Sequence, residues 1–212
     1  MEDVTMKVPV RLAVVYYSAT GNVHAMAQRA ALAAENVGAE VRLRKVAELA
    51  PVSAVEANPA WATHARSAAS VAVACPQDVE WADAVLLGTP TRFGNVSAQL
   101  KQFIDQLGPL WSRGALADKF YAAFTSTSTP HGGHESTLLA LYNCVYHFGG
   151  IIVAPGYTDP VKFAEGNPYG VSHTSGDHPI DERTLDAMDH LASRLLAAAQ
   201  ARRGLVSEPS GT

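Results

Sequence analysis

The chain is short of several things, and each shortage removes a class of protein. Only two cysteines occur in 212 residues, Cys75 and Cys144, and both read as free thiols rather than as a disulfide framework. Charge is modest at 17% of residues, with 16 Lys and Arg against 20 Asp and Glu. The net charge of -4 leaves no basic surface to draw in phosphate backbones, so nucleic acid is set aside as a partner. No apolar run approaches the roughly 20 residues of a membrane span. Residues 1–9 also lack the apolar centre of a secretory signal, and a cytoplasmic protein is expected. The motifs GxGxxG, GxxxxGK[ST] and GxSxG are all missing, which removes the main support for a dinucleotide fold, a P-loop and a serine hydrolase. His131 and His134 have no third ligand at metal spacing, so no metal is expected.

What is present alternates between two periods. Residues 10–17 form a continuous β-branched and aromatic run that suits a strand buried on both faces. Val23, Ala27, Ala30, Ala34 and Val37 then repeat at helical spacing until Gly38. Residues 40–45 read as an edge-side strand, 81–88 and 120–125 as further apolar strands, and 151–153 as a short fifth. Helices are expected around Val96, Leu100, Phe103 and Leu107, around Leu138, Leu141, Tyr142 and Val145, and over residues 181–203. Residues 51–76 carry no clean period, 155–179 are rich in glycine, proline and histidine, and 204–212 read as a frayed tail after a single domain spanning 1–203. Strands alternating with helices imply a doubly wound five-stranded parallel α/β sheet, order 2-1-3-4-5, with helices on both faces. Ligands bind such sheets outside the carboxyl ends of the strands, at the switch point between the first and third.

Three loops fall at that rim. In the first, Ser18, Thr20 and Asn22 offer side-chain donors, Gly21 permits a tight or left-handed backbone, and the following helix presents its unpaired N–H groups. With no Lys or Arg in it, the loop suits a phosphate monoester better than a triphosphate with magnesium. A capped helix start with no ligand is the alternative for those residues taken alone.

Beyond that point the residues resemble a known family. The stretch Tyr16-Tyr17-Ser18-Ala19-Thr20-Gly21-Asn22 looks like the FMN-phosphate loop of flavodoxin-like proteins. Gly88-Thr89-Pro90-Thr91-Arg92-Phe93-Gly94-Asn95 is similar to the signature of WrbA-type NAD(P)H:quinone oxidoreductases, and the likeness continues in order from about Val10 to about Leu196. The resemblance implies a flavodoxin-like fold, FMN as cofactor, NADH or NADPH as donor, a quinone as acceptor and a homotetramer. It implies that Ser18, Ala19, Thr20, Gly21, Asn22 and Val23 hold the ribityl phosphate, and that Pro90, Thr91, Arg92, Phe93, Gly94 and Asn95 meet the ribityl chain and ring. Ser126, Thr127, Ser128, Thr129, Pro130 and His131 would close over the ring edge. His147 and Trp111 take the catalytic positions, His147 reaching a neighbour's cofactor, while Trp111 and Thr20 would face the substrate. Ala19 and Thr20 stand where many members carry an aromatic, which weakens nicotinamide stacking. The rival reading is a flavodoxin-type electron carrier with no substrate pocket, which needs a charged docking face; the modest net charge and the long stretch 155–179 favour the enzyme.

Overall fold

In the computed structural model, which describes residues 8–176 and 179–207, the chain begins with a strand, β1 (Arg11–Tyr16), and a helix, α1 (Asn22–Asn36). The helix stops where Gly38 takes φ +84°, so that Gly38 N–H and Ala39 N–H reach back to the carbonyls of Glu35 and Ala34. β2 (Glu40–Lys45) follows, half-buried along most of its length as its alternating charge requires. The aperiodic stretch after it folds into three short helices, α2 (Val52–Glu56), α3 (Pro59–Ser67) and α4 (Pro76–Trp81), each with Pro before or within its first turn. β3 (Ala84–Pro90), α5 (Ala98–Asp105), α6 (Gly108–Ser112), β4 (Phe120–Thr127) and α7 (His134–Phe148) come next. β5 (Ile151–Ile152), α8 (Pro160–Glu165), β6 (Val171–Thr174) and α9 (Glu182–Ser207) complete the chain.

All strand pairings are parallel and the path is β2-β1-β3-β4-β5, which is the expected order. The period of two along β1 sorts its side chains between two cores. Leu12, Val14 and Tyr16 pack with Val23, Met26 and Ala30 of α1 and with Met188 and Leu191 of α9. Ala13, Val15 and Tyr17 pack with Val79 of α4, Leu100 and Phe103 of α5, and Leu141 and Val145 of α7. Burying each such large side chain contributes about 1.5–3 kcal/mol.

The sheet has six strands, not five, because the fifth position is shared. β5 pairs with the first half of β4 through Phe120–Ile151 and Tyr121–Ile152, and β6 pairs with its second half through Phe124–Val171 to Thr127–Thr174. The intervening chain, 153–170, makes an excursion pinned by the buried pair Lys162–Glu165. The Glu165 carboxylate also accepts from Asn167 N–H, Ser172 N–H and Ser172 Oγ, and the Lys162 ammonium donates to the Gly170 carbonyl at 2.8 Å. The last helix runs to Ser207, four residues past the boundary expected from sequence; 208–212 of the expected tail lie outside the described residues.

Candidate functional site

The carboxyl ends of β1, β3, β4 and β6 bring three loops and one extra residue together. At the first, Gly21 adopts φ +106° and its N–H donates to Ser18 Oγ at 3.1 Å, folding the loop back on itself. α1 then begins, its first backbone bond to the loop running from Ala25 N–H to the Gly21 carbonyl. The N–H groups of Asn22, Val23 and His24 meet no loop or side-chain acceptor among the described residues, so the positive end of a 15-residue helix opens here.

At the second, Arg92 N–H donates to the Asn95 carbonyl at 2.8 Å and Asn95 N–H to the Arg92 carbonyl at 3.1 Å. Phe93 at φ +54° and Gly94 at φ +75° make the tip a type I′ turn. A phenylalanine in the left-handed region costs about 1–2 kcal/mol, yet the Phe93 side chain gains no burial in return and stands fully exposed. Strain held without packing points to the ring's display as its purpose. Phe93→Gly is therefore expected to unfold at a urea concentration no lower than wild type; a lower midpoint would mean that the ring supports the fold.

The third loop, after β4, is laced to the second. Thr91 N–H donates to the Ser126 carbonyl, the Thr91 and Thr137 hydroxyls lie 2.8 Å apart, and Ser136 Oγ donates to the Gly94 carbonyl at 2.9 Å. Gly133, at φ +95°, lies so close to Gly94 that a β-carbon on it would stand 2.6 Å from the Gly94 α-carbon. Within this loop Thr127 Oγ1 donates to the Thr129 carbonyl, and His134 Nε2 faces both that hydroxyl oxygen and the His173 carbonyl, two acceptors that assign its proton to Nε2.

Between the loops lies a cavity of about 200 Å³ lined by Ser18, Ala19, Thr20, Asn22, Val23, Pro90, Arg92, Ser126, Thr127, Ser128 and Ser175. Ten of these eleven residues belong to the loops read from sequence as one site, and Ser175 is new. Ser175 arrives because β6 extends the sheet: its N–H and Oγ both donate to the Thr127 carbonyl, at 2.7 and 3.0 Å. Gly21, Thr91, Phe93, Gly94 and Asn95 shape the rim without lining the cavity, and Thr129, Pro130 and His131 turn outward into solvent. Trp111 and His147 are brought together elsewhere: the indole N–H donates to the His147 carbonyl at 2.8 Å, and both side chains are exposed outside this cavity.

Sequence reading missed a second cluster behind Ser18. The Tyr16 hydroxyl contacts His24 Nδ1, the His24 and His64 rings lie 5.1 Å apart, and His64 Nδ1 backs onto Gly21. Burial, then His64 and Lys45, push the His24 imidazole down to about 4. Below its ordinary value of 6.5 the unfolded chain takes up a proton that the folded chain refuses. Stability is complete above that pH and is lost as pH falls towards 4. Urea midpoints measured from pH 7.5 to 4.5 should fall less steeply in His24→Gln than in wild type; an equal fall would place the acid sensitivity elsewhere.

A parallel 2-1-3-4-5 sheet with a hydroxyl-lined cavity at its carboxyl rim defines the flavodoxin-like class. The structure is similar to a WrbA-like flavodoxin from Agrobacterium tumefaciens, with a TM-score of 0.65 and 24% identity over 91% of this chain and 98% of that one. It is also similar to a flavodoxin from the domain Archaea, at a TM-score of 0.58 and 16% identity over 90% and 99%. The profile of the NADPH-dependent FMN reductase family matches residues 11–159, and the chain belongs to that family. It is 45% identical over 190 residues to the NAD(P)H dehydrogenase (quinone) of Deinococcus radiodurans, covering 89% of this chain and 95% of that protein. A protein of the same name from Methylocella silvestris is 37% identical over 202 residues, covering 92% and 99%.

Proposed function

We propose that this protein is an FMN-dependent NAD(P)H:quinone oxidoreductase. The observation that carries the reading is the open N-terminus of α1 set at the mouth of a cavity rich in hydroxyls. Phosphate and a polyol chain need backbone N–H groups and short polar side chains, and Ser18, Thr20, Asn22, Ser126, Thr127 and Ser128 supply them, with Arg92 the one cation among the described lining residues. FMN, when bound, supplies two-electron redox chemistry between a reduced nicotinamide and a quinone. The chain's own part is to bind and orient. The Ser18–Gly21 turn and the first N–H groups of α1 hold the phosphate, Pro90 and Arg92 flank the chain that follows it, and Ser175 extends the same wall. Phe93, raised on its turn, offers the flat apolar face that a ring system needs, so Phe93→Gly loses FMN affinity without losing stability.

Trp111 and His147 serve the substrate side of a neighbouring copy's site in a homotetramer. Their exposure on one face, with Tyr146 and Leu139 also exposed on α7, supports that arrangement. There the indole walls the pocket and the imidazole can hand over a proton. The protein works in the cytoplasm, which its two free cysteines fit, and no helix among the described residues is long and apolar enough to cross a membrane. The test is visible absorbance of the purified protein titrated with FMN, followed by NADH and NADPH oxidation with benzoquinone. Flavin binding together with turnover is the expected result. Binding without turnover removes the activity and leaves the cofactor site standing.

A further inference from the structure

Two cavities open at the carboxyl rim, and the loop that carries Ser18 separates them. The second, about 250 Å³, lies towards β2 and is walled by Tyr17, Ser18, Lys45, Glu48, Trp61 and His64. Three other cavities lie elsewhere, against Val8 and Val10, against Asp83 and Phe120, and between Val153 and α9.

Three features of this second cavity describe its occupant. Trp61 and His64 stand three residues apart on α3, which puts indole and imidazole on one helix face and offers a flat ring two aromatic surfaces. Lys45 brings a positive charge: its ammonium donates to the Ala68 carbonyl and has no ion pair among the described residues. Glu48 also belongs to the wall, and its carboxylate charge is spread over hydrogen bonds accepted from Tyr17 Oη at 2.8 Å, Trp61 Nε1 at 3.2 Å, Gln99 Nε2 at 2.8 Å and the N–H groups of Leu49 and Ala50. Burial and Lys45 both push the His64 imidazole down, which favours its neutral form and leaves the Lys45 ammonium as the cation of this wall among the described residues. A flat ring joined to a phosphate monoester satisfies all three. Among the described residues the first cavity, by contrast, has no aromatic side chain in its lining and offers a second nucleotide little to stack on.

Resting on the oxidoreductase reading, we propose that the cavity behind Ser18 binds the 2′-phosphoadenosine end of the donor, with the purine against Trp61 and His64 and the 2′-phosphate on Lys45. The protein therefore prefers NADPH to NADH.

Redox-inert probes test this on the FMN-loaded full chain. In calorimetric titrations 2′,5′-ADP should bind about tenfold or more tightly than 5′-ADP, as a charge-assisted contact to one phosphate implies. Lys45→Met should erase the difference, Lys45→Arg should keep it, and Trp61→Ala should weaken both probes alike. Flavin absorbance retained by each variant shows that the fold is intact. In steady-state turnover Lys45→Met should raise KM for NADPH about tenfold with kcat held, and shift KM for NADH far less. Equal affinity for the two probes, binding of neither, or an equal effect of Lys45→Met on both donors overturns the proposal. If the probes fail while NADPH still drives quinone reduction, the donor's purine end lies elsewhere and the oxidoreductase stands. If the probes bind as expected and no quinone is reduced, the dinucleotide site stands and the acceptor assignment falls.

Discussion

Gly133→Ala is expected to lower FMN affinity at least about tenfold while costing about 1–3 kcal/mol of stability. Two separate penalties meet at this residue. The backbone sits at φ +95°, where an alanine costs about 1–2 kcal/mol wherever it is placed. The added methyl would also stand 2.6 Å from the Gly94 α-carbon and 2.9 Å from Ser136 Oγ, inside the seam that laces the second loop to the third. Relief requires the turn carrying Phe93 to move away from the start of α7, which breaks the Ser136–Gly94 hydrogen bond and widens the gap that the cofactor must bridge. Gly38→Ala isolates the first penalty, since Gly38 has φ +84° and nothing within 4 Å of its would-be β-carbon. Urea denaturation should show the shared backbone penalty in both variants, and fluorescence titration with FMN should show a loss of affinity in Gly133→Ala alone. Equal affinities for Gly133→Ala and Gly38→Ala would mean that the spacing of these loops is immaterial to the site.

Lys162→Met carries the largest expected loss of stability, about 3–5 kcal/mol, because it leaves a buried carboxylate without its counter-charge. Both side chains are almost wholly shielded from solvent, and the Lys162 ammonium also holds the Gly170 carbonyl at the point where the chain rejoins the sheet. Burial alone pushes the Lys162 amine down and the Glu165 carboxylate draws it back, so neither group is comfortable without the other. The double variant Lys162→Met/Glu165→Gln should be more stable than Lys162→Met alone. The amide removes the stranded charge, and its one oxygen can still accept from either Asn167 N–H or Ser172 N–H, which the carboxylate serves with different oxygens. Urea midpoints of the two single variants and the double give the coupling directly. A double variant no better than Lys162→Met would show that the hydrogen bonds outweigh the charge.

The parts of this fold that could be read in advance are those with a long apolar period. β1, β3 and β4 announce themselves because each is buried on both faces, and α1, α5 and α7 because one stripe of each faces a core. α2 and α3 gave no such signal: α2 buries no residue and α3 buries only Ala62, so there was no period to find. β6 escaped for a related reason. It is four residues long, sits among glycines and prolines, and has Val171 as its single apolar member. With β6 unread, Ser175 could not be placed at the site, since only the pairing of β6 with β4 carries it there.

The site itself was legible as three loops because parallel topology sends every strand's carboxyl end to one rim. Which members of each loop face inward was not legible. Ser126, Thr127 and Ser128 line the cavity and Thr129, Pro130 and His131 do not, a division set by where the backbone turns after β4. The cluster of Lys45, Glu48, Trp61 and His64 was invisible for a different reason. Glu48 collects donors from Tyr17, Trp61 and Gln99, residues 31, 13 and 51 positions away, and no spacing in the sequence marks them as neighbours.

β5 and β6 occupy successive halves of one edge, so the chain leaves its lane on the sheet and later re-enters that same lane. A detour of this kind leaves the phase of β4 untouched whatever its length, because the returning segment pairs with residues that the departing one never used. The stretch between Val153 and Asp159, ahead of the Lys162–Glu165 pin, is thus a seam where this architecture can lengthen, shorten or accept a foreign segment, while Ser175 on its far side still meets the ligand rim.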